Sequence, residues 1–177
     1  MLDKNLLTKF NFFSDVSDDR LSAIAQLANL LDFKAGETIF RIGDSSDNLY
    51  GVVTGEVELI LVYKDKLLEA DITFEEQNQS RIEVVEKPIR VALVDPGKIF
   101  GWSSLVRGRK RTVTAICRET SQVISLPSTA LESLFEKDSG LGYLLMSRLC
   151  DIISDRLQNR TEQLLEAWVE AFDVDSF

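Results

Sequence analysis

Between Asp32 and Pro127 the chain is cut every few residues by turn sequences that carry glycine: KAGE, RIGDSSDN, VTGE, VDPGK and VRGRK. Glycine, aspartate, asparagine and proline supply the backbone conformations that tight turns need. The intervals between these turns are too short for stable helices and are rich in Val, Ile and Phe. That punctuation confines the segment to short strands joined by tight connections. The predicted strands are Thr38 to Phe40, Leu49 to Val53, Val57 to Tyr63, Arg90 to Val94, Thr112 to Cys117 and Gln122 to Leu126. Strands at this spacing imply a sandwich or jelly-roll barrel. One stretch breaks the rhythm. Lys64 to Lys87 is charged and holds neither Gly nor Pro, so it reads as a long hairpin or mobile excursion, stranded around Ile82 to Val85.

Helical patterns flank this region. Ser14 and Ser17 are candidate N-caps, with Asp18 and Asp19 in a first turn that the helix dipole favours. Leu21, Ile24, Leu27, Ala28 and Leu31 follow at helical spacing. After Pro127 a short helix is expected over Ser128 to Glu136, capped by Ser128. Then Leu145, Leu149, Ile152, Ile153, Leu157, Leu164, Leu165, Trp168 and Phe172 mark a long pattern, interrupted by Arg160 and Thr161. One continuous helix would span roughly 45 Å and overhang the barrel, which favours packing against a second copy of the chain. The alternatives are a helix folded back on the barrel and two helices broken near Asn159. The fold expected is α+β in one domain over residues 1–177. Helices occupy 1–31, a β-roll (jelly roll) 32–127 and helices 128–177, with a frayed tail DVDSF.

Composition excludes several functions. The chain has no histidine, which removes the commonest general base, the commonest metal ligand and every Ser-His or Cys-His pair. Cys117 and Cys150 are too far apart for ligand spacing and read as small hydrophobes in a reducing compartment. A β-roll enzyme therefore has no support. The net charge of −9 argues against general DNA binding. The N-terminus is not a signal peptide, and no run of about 18 apolar residues exists to span a membrane. The expected location is the cytoplasm.

Against that acidic background, FGWSSLVRGRKRTVTA (Phe100 to Ala115) concentrates Arg107, Arg109, Lys110 and Arg111 behind Gly-Trp-Ser-Ser. Gly97 and Gly101 permit tight turns. Ser103 and Ser104 are placed to cap a one-turn helix whose free N–H groups point at an anion. Arg111 offers a planar fork suited to phosphate. These residues describe a phosphate site on a β scaffold; on spacing alone, a solvated basic hairpin fits as well.

The chain resembles a cyclic nucleotide-binding domain of the catabolite activator protein type over about Leu6 to Arg160. One signature is GETIFRIGDSSDNLYGVVTGEVEL, in which Gly36, Gly43, Asp44, Asp47, Leu49, Tyr50 and Gly55 match. The other is the phosphate-binding cassette, residues 100–115. The resemblance implies a non-enzymatic regulatory module binding cyclic AMP, cyclic GMP or a related phosphorylated ligand. Arg111 would pair with the cyclic phosphate, helped by Gly101, the backbone near Ser103 and Ser104, and the Thr112 hydroxyl. Arg107, Arg109 and Lys110 would add field from the loop leading to Arg111. Where the family carries a glutamate that accepts from the ribose hydroxyl, this chain has Trp102, which cannot accept that bond. The loss is worth about 1.5–3 kcal/mol. Trp102 would then stack on the base or, more in keeping with its size, fill the space. RLQNRTEQ (Arg156 to Gln163) resembles the helix segment that covers the purine, placing Arg160 and Thr161 at the base. No helix-turn-helix follows, so DNA is not an expected partner. A homodimer through the last helix and an unidentified protein partner are. The competing reading is a degenerate domain that binds no nucleotide and serves as a dimeric protein-interaction scaffold.

Overall fold

The computed structural model describes residues 2–69, 81–106, 108 and 110–172. Arg107, Arg109, the middle of the expected excursion (70–80) and the tail 173–177 lie outside those residues. Short helical elements come first: α1 (Lys4–Leu7), a 3-10 turn (Asn11–Phe13) and α2 (Asp18–Leu27). Among the described residues eight strands follow: β1 (Asn29–Phe33), β2 (Thr38–Phe40), β3 (Asn48–Thr54), β4 (Val57–Glu69), β5 (Arg81–Val94), β6 (Ile99–Phe100), β7 (Thr114–Cys117) and β8 (Ser121–Pro127). A 3-10 helix, Trp102–Leu105, sits between β6 and β7, and the chain closes with α3 (Ser128–Lys137) and α4 (Ser139–Phe172).

The strands form two antiparallel four-stranded sheets, ordered β1-β8-β3-β6 and β2-β7-β4-β5. β3 and β8 are buried on both faces, and their alternation serves two cores. Tyr50, Val52 and Val123 point into the roll, where they meet Phe40, Val57, Leu59, Val94, Phe100 and Cys117. Leu49, Val53, Ile124 and Leu126 point outward, onto a helical layer built from Leu7, Phe10, Phe13, Ile24, Leu131, Leu141, Leu145 and Leu149. The first helical stripe thus finds its partner on the outer face of one sheet rather than inside the roll.

Several expectations need correction. Leu31 is not helical: α2 ends at Leu27, and Ala28 turns extended (φ −83°, ψ 140°) to start β1. Residues 27–31 satisfy both periodicities, and pairing with β8, Leu30 opposite Ile124 and Leu31 opposite Val123, decides for strand. Ser17 occupies the α2 cap position without a side-chain bond, while the Ser14 hydroxyl donates to the Asn11 carbonyl at 2.7 Å and closes the preceding turn. Ser128 does not cap α3; it is the first helical residue, after Pro127, and its N–H donates to the Asp47 carbonyl at 2.8 Å. β4 and β5 pair as one long hairpin from Val57↔Val94 to Glu69↔Arg81, so strand structure extends well beyond Ile82 to Val85.

The last helix is continuous over 34 residues, about 51 Å. Arg160 and Thr161 do not break it. The Thr161 hydroxyl donates to the Leu157 carbonyl at 3.0 Å, which satisfies it within the helix. Asp138 starts the helix by accepting from the Leu141 N–H at 2.9 Å. The same carboxylate takes a two-pronged bond from Arg20 at 2.7 and 2.8 Å, tying α2 to the α3–α4 corner. Leu141, Leu145 and Leu149 are buried. From Leu157 onward the helix leaves the roll, and Leu157, Leu164, Leu165, Trp168 and Val169 are all more than half exposed.

Candidate ligand-binding site

The site begins where β6 ends. Gly101 adopts a left-handed conformation (φ 72°, ψ 23°) and turns the chain from Phe100 into the 3-10 helix Trp102–Leu105. A side chain is strained there, and there is no room for one: a Cβ at Gly101 would lie 2.7 Å from Arg111 Nη1 and 3.1 Å from the Tyr50 ring. Gly101 therefore takes the cap position, and Ser103 and Ser104 fall inside the turn instead of capping it. The Ser103 hydroxyl shares a 2.8 Å bond with that of Ser46. The Ser104 hydroxyl is buried without a partner. It belongs to the wall of a groove of about 290 Å³ lined also by Ser45, Ser46, Ser128 and Thr129.

Arg111 lies just before β7 rather than on it, and only 3% of it is exposed. Its backbone is fastened to the β2–β3 loop: its N–H donates to the Asp44 carbonyl at 2.9 Å, and its carbonyl accepts from the Gly43 N–H at 2.8 Å. Its guanidinium donates from Nη1 to the Gly101 carbonyl (2.7 Å) and from Nη2 to the Asn48 carbonyl (2.6 Å). The group lies over the Phe40 ring, 4.2 Å from its centroid. Phe40, Tyr50 and Phe100 are stacked beneath it with centroids 5.3 to 6.0 Å apart. Burial lowers the Arg111 pKa from its ordinary value; Tyr50, Asp47 and Asp44 act in the opposite direction. No carboxylate hydrogen-bonds the guanidinium among the described residues, and its Nε is buried without a partner. Asp44 and Asp47 act on it from a distance only, and an anion bonded at the free Nε would complete a buried cation of this kind.

The other expected residues are spread more widely. Trp102 is half-buried and, like Leu105, Ile152 and Ile153, packs against the helical layer, so it fills space there. Thr112 is exposed beside Arg111. Arg160 lies on the overhanging part of α4 and lines a groove of about 260 Å³ with Arg90, Val91, Ala92, Leu93 and Gln163. Thr161 is not part of that groove. Gly101, Trp102, Ser103, Ser104 and Arg111 are thus brought together, and Arg160 stands over β5.

Arg156 escaped sequence reasoning. It donates to the Ile99 carbonyl at 3.2 Å, immediately before the cassette, and burial first, then Arg160, lowers its pKa. The available signal was a cation at the position where the stripe Leu145, Leu149, Ile152 next faces the roll. Among the described residues no cluster of His, Cys, Asp or Glu is arranged to hold a metal ion. No helix among them is long and apolar enough to cross a membrane.

The described residues thus build a jelly roll with a glycine-hinged cassette, a buried arginine behind it and a long helix alongside. The family model described as cyclic nucleotide-binding domain matches residues 78–138. No curated protein matches the chain. Among solved structures, a putative cyclic nucleotide-binding protein from Geobacter metallireducens is 25% identical with a TM-score of 0.67, over 89% of this chain and 99% of that one. A cyclic nucleotide-binding domain from Methylobacillus flagellatus is 20% identical (TM-score 0.69; 92% and 80%). The Thermus thermophilus catabolite activator protein is 19% identical (TM-score 0.63; 90% and 63%). The chain shares the fold of these structures, and its residues 78–138 match the cyclic nucleotide-binding domain model.

Proposed function

We propose that this chain is a non-enzymatic, cytoplasmic regulatory module that binds a cyclic nucleotide at its cassette and relays binding through α4. The observation that carries this reading is Arg111: a buried cation with no bonded carboxylate and an unpartnered Nε, held at the end of a phosphate-type cassette. A cyclic phosphate supplies the directly bonded anion that the site lacks among the described residues. α4 suits the relay because Arg156 ties it to Ile99, immediately before the cassette, and because Trp102 and the root of α4 pack against the same helical layer. The exposed stripe Leu157, Leu164, Leu165, Trp168 and Val169 supports a homodimer through the same helix, since nothing in the chain covers it among the described residues.

Calorimetric titration with cyclic AMP and cyclic GMP tests the reading on wild type and Arg111→Lys. Lysine keeps the charge and loses the fork. Alanine would leave the Gly101 and Asn48 carbonyls without their donor and confound binding with folding. Wild type is expected to bind at least one of the two. Arg111→Lys is expected to bind it about 10- to 150-fold more weakly, the worth of a charge-assisted hydrogen bond. No heat from either nucleotide, or equal affinity in the variant, would leave the degenerate scaffold as the better account.

A further inference from the structure

The groove walled by Ser104 lies between the β2–β3 loop, the cassette and the start of α3. Neither Gly101 nor Arg111 lines it, so it is separate from the phosphate position proposed above. Ser104 and Ser128 both line it, and they are only 6% and 7% exposed. Neither hydroxyl has a hydrogen-bond partner among the described residues. Buried polar groups are normally paired, and one left unpaired costs free energy. Two such hydroxyls in one wall call for a molecule that pairs them. α3 begins in the same wall. Its cap residue, Pro127, makes no side-chain bond to the helix and has no N–H of its own. The Ser128 N–H is taken by the Asp47 carbonyl. The next N–H groups, of Thr129 and Ala130, have no acceptor within the helix. The rest of the wall supplies acceptors. The Glu132 carboxylate is bonded to nothing among the described residues. The Asp47 carboxylate accepts only from Ser45 Oγ, at 2.7 Å, and keeps lone pairs free.

We infer that this groove binds a small neutral polyol, a molecule of monosaccharide size with adjacent hydroxyl groups. Each hydroxyl of such a molecule both donates and accepts. It can accept from the first turn of α3 and donate to Glu132 or Asp47. It can do either with Ser104 and Ser128. Charged ligands fit less well. A phosphate or carboxylate would face the Asp47 and Glu132 carboxylates. An ammonium group would face the positive end of the α3 dipole. The groove's volume of about 290 Å³ lies at the small end of ligand pockets, which suits one sugar-sized molecule. The inference does not use the cassette reading, because none of these side chains bonds the Arg111 guanidinium.

The test is a chemical-shift titration of the full ¹⁵N-labelled chain with D-xylose, D-mannitol and myo-inositol. Inorganic phosphate and methylammonium serve as charged controls. At least one polyol is expected to shift the Ser104, Ser128 and Thr129 amides saturably, and neither control is. Ser104→Ala and Ser128→Ala break no hydrogen bond within the chain. Each is expected to weaken polyol binding about 2- to 12-fold, the worth of a neutral hydrogen bond. Each is also expected to leave the Tm of the unliganded protein equal to or above wild type, since an unpaired buried hydroxyl is removed. No saturable shift from any of the three polyols overturns the inference. Saturation by phosphate or methylammonium instead overturns the ligand class. Unchanged polyol affinity in both variants, or a lowered Tm in both, shows that these hydroxyls do not wait for a ligand and overturns it as well.

Discussion

Replacing Gly101 by alanine asks whether the cassette arginine is clamped as described. Two costs apply. The left-handed backbone (φ +72°) disfavours any side chain by about 1–2 kcal/mol. The new methyl would also stand 2.7 Å from Arg111 Nη1. That nitrogen cannot swing away freely, because it donates to the Gly101 carbonyl while Nη2 is held by Asn48 and the Phe40 ring lies below. Forcing an extra methyl into a packed site costs about 1–3 kcal/mol. Gly36 and Gly43 separate the two terms. Both have positive φ (+82° and +88°), and a Cβ on either meets nothing within 4 Å. Gly36→Ala and Gly43→Ala therefore carry the backbone cost alone. For a chain of 177 residues each kcal/mol is worth about 2–4 °C in Tm, so Gly101→Ala is expected to melt roughly 2–12 °C below both controls. Thermal denaturation followed by circular dichroism or calorimetry reads the difference. A Gly101→Ala protein that melts with its controls would show that Arg111 is not pinned behind the cassette, and the buried-cation argument would go with it.

Two further outcomes follow from the last helix and its start. Leu164→Glu is expected to convert a dimer to a folded monomer in light scattering coupled to size exclusion; a wild type already monomeric ends the dimer proposal. Leu149→Glu, which sequence periodicity alone suggests for the same purpose, is unsuitable, because Leu149 is buried in its own chain. The Asp138 carboxyl is held below the usual carboxylate range, first by the Arg20 hydrogen bond and then by the Leu141 N–H. A depressed folded pKa contributes stability that is present above the unfolded value, about 3.9, and is lost as pH falls through the folded value. The Tm gap between wild type and Asp138→Asn should therefore be full at neutral pH and close below about pH 4; a gap that persists unchanged at pH 2 would contradict the pairing with Arg20.

The roll was legible because glycine turns mark where strands stop. Thr38–Phe40 was read as a strand from the KAGE and RIGD turns on either side, and it is one. β1 was hidden because Asn29–Phe33 has exposed residues at nearly every position, and only its alignment with β8 makes it a strand. β6 was hidden by its length, two residues. The cassette shows the same division. Its residues could be picked out by type and spacing, but no spacing says where a guanidinium is held. That the Gly101 and Asn48 carbonyls take the Arg111 fork depends on contacts across 10 and 63 residues, and that Phe40 lies under it on a contact longer still in sequence. Trp102 was identified as the departure in the motif; that it packs against the helical layer depends on residues brought together from both ends of the chain.

The length of α4 beyond the roll has a mechanical meaning. Arg156, bonded to the Ile99 carbonyl, is the last residue of α4 with a hydrogen bond to the roll among the described residues, and the helix continues from there to Phe172. That free arm is about 24 Å long. With Arg156 as the fulcrum, a tilt of about 10° swings the far end by about 4 Å, close to the 5.4 Å pitch of a helix. The same tilt corresponds to a displacement of only about 1 Å one turn before the fulcrum, near Ile152. Under the proposed relay the overhang would work as a pointer, turning a displacement of about 1 Å at its root into one large enough to change the register of whatever lies along Leu164 and Trp168.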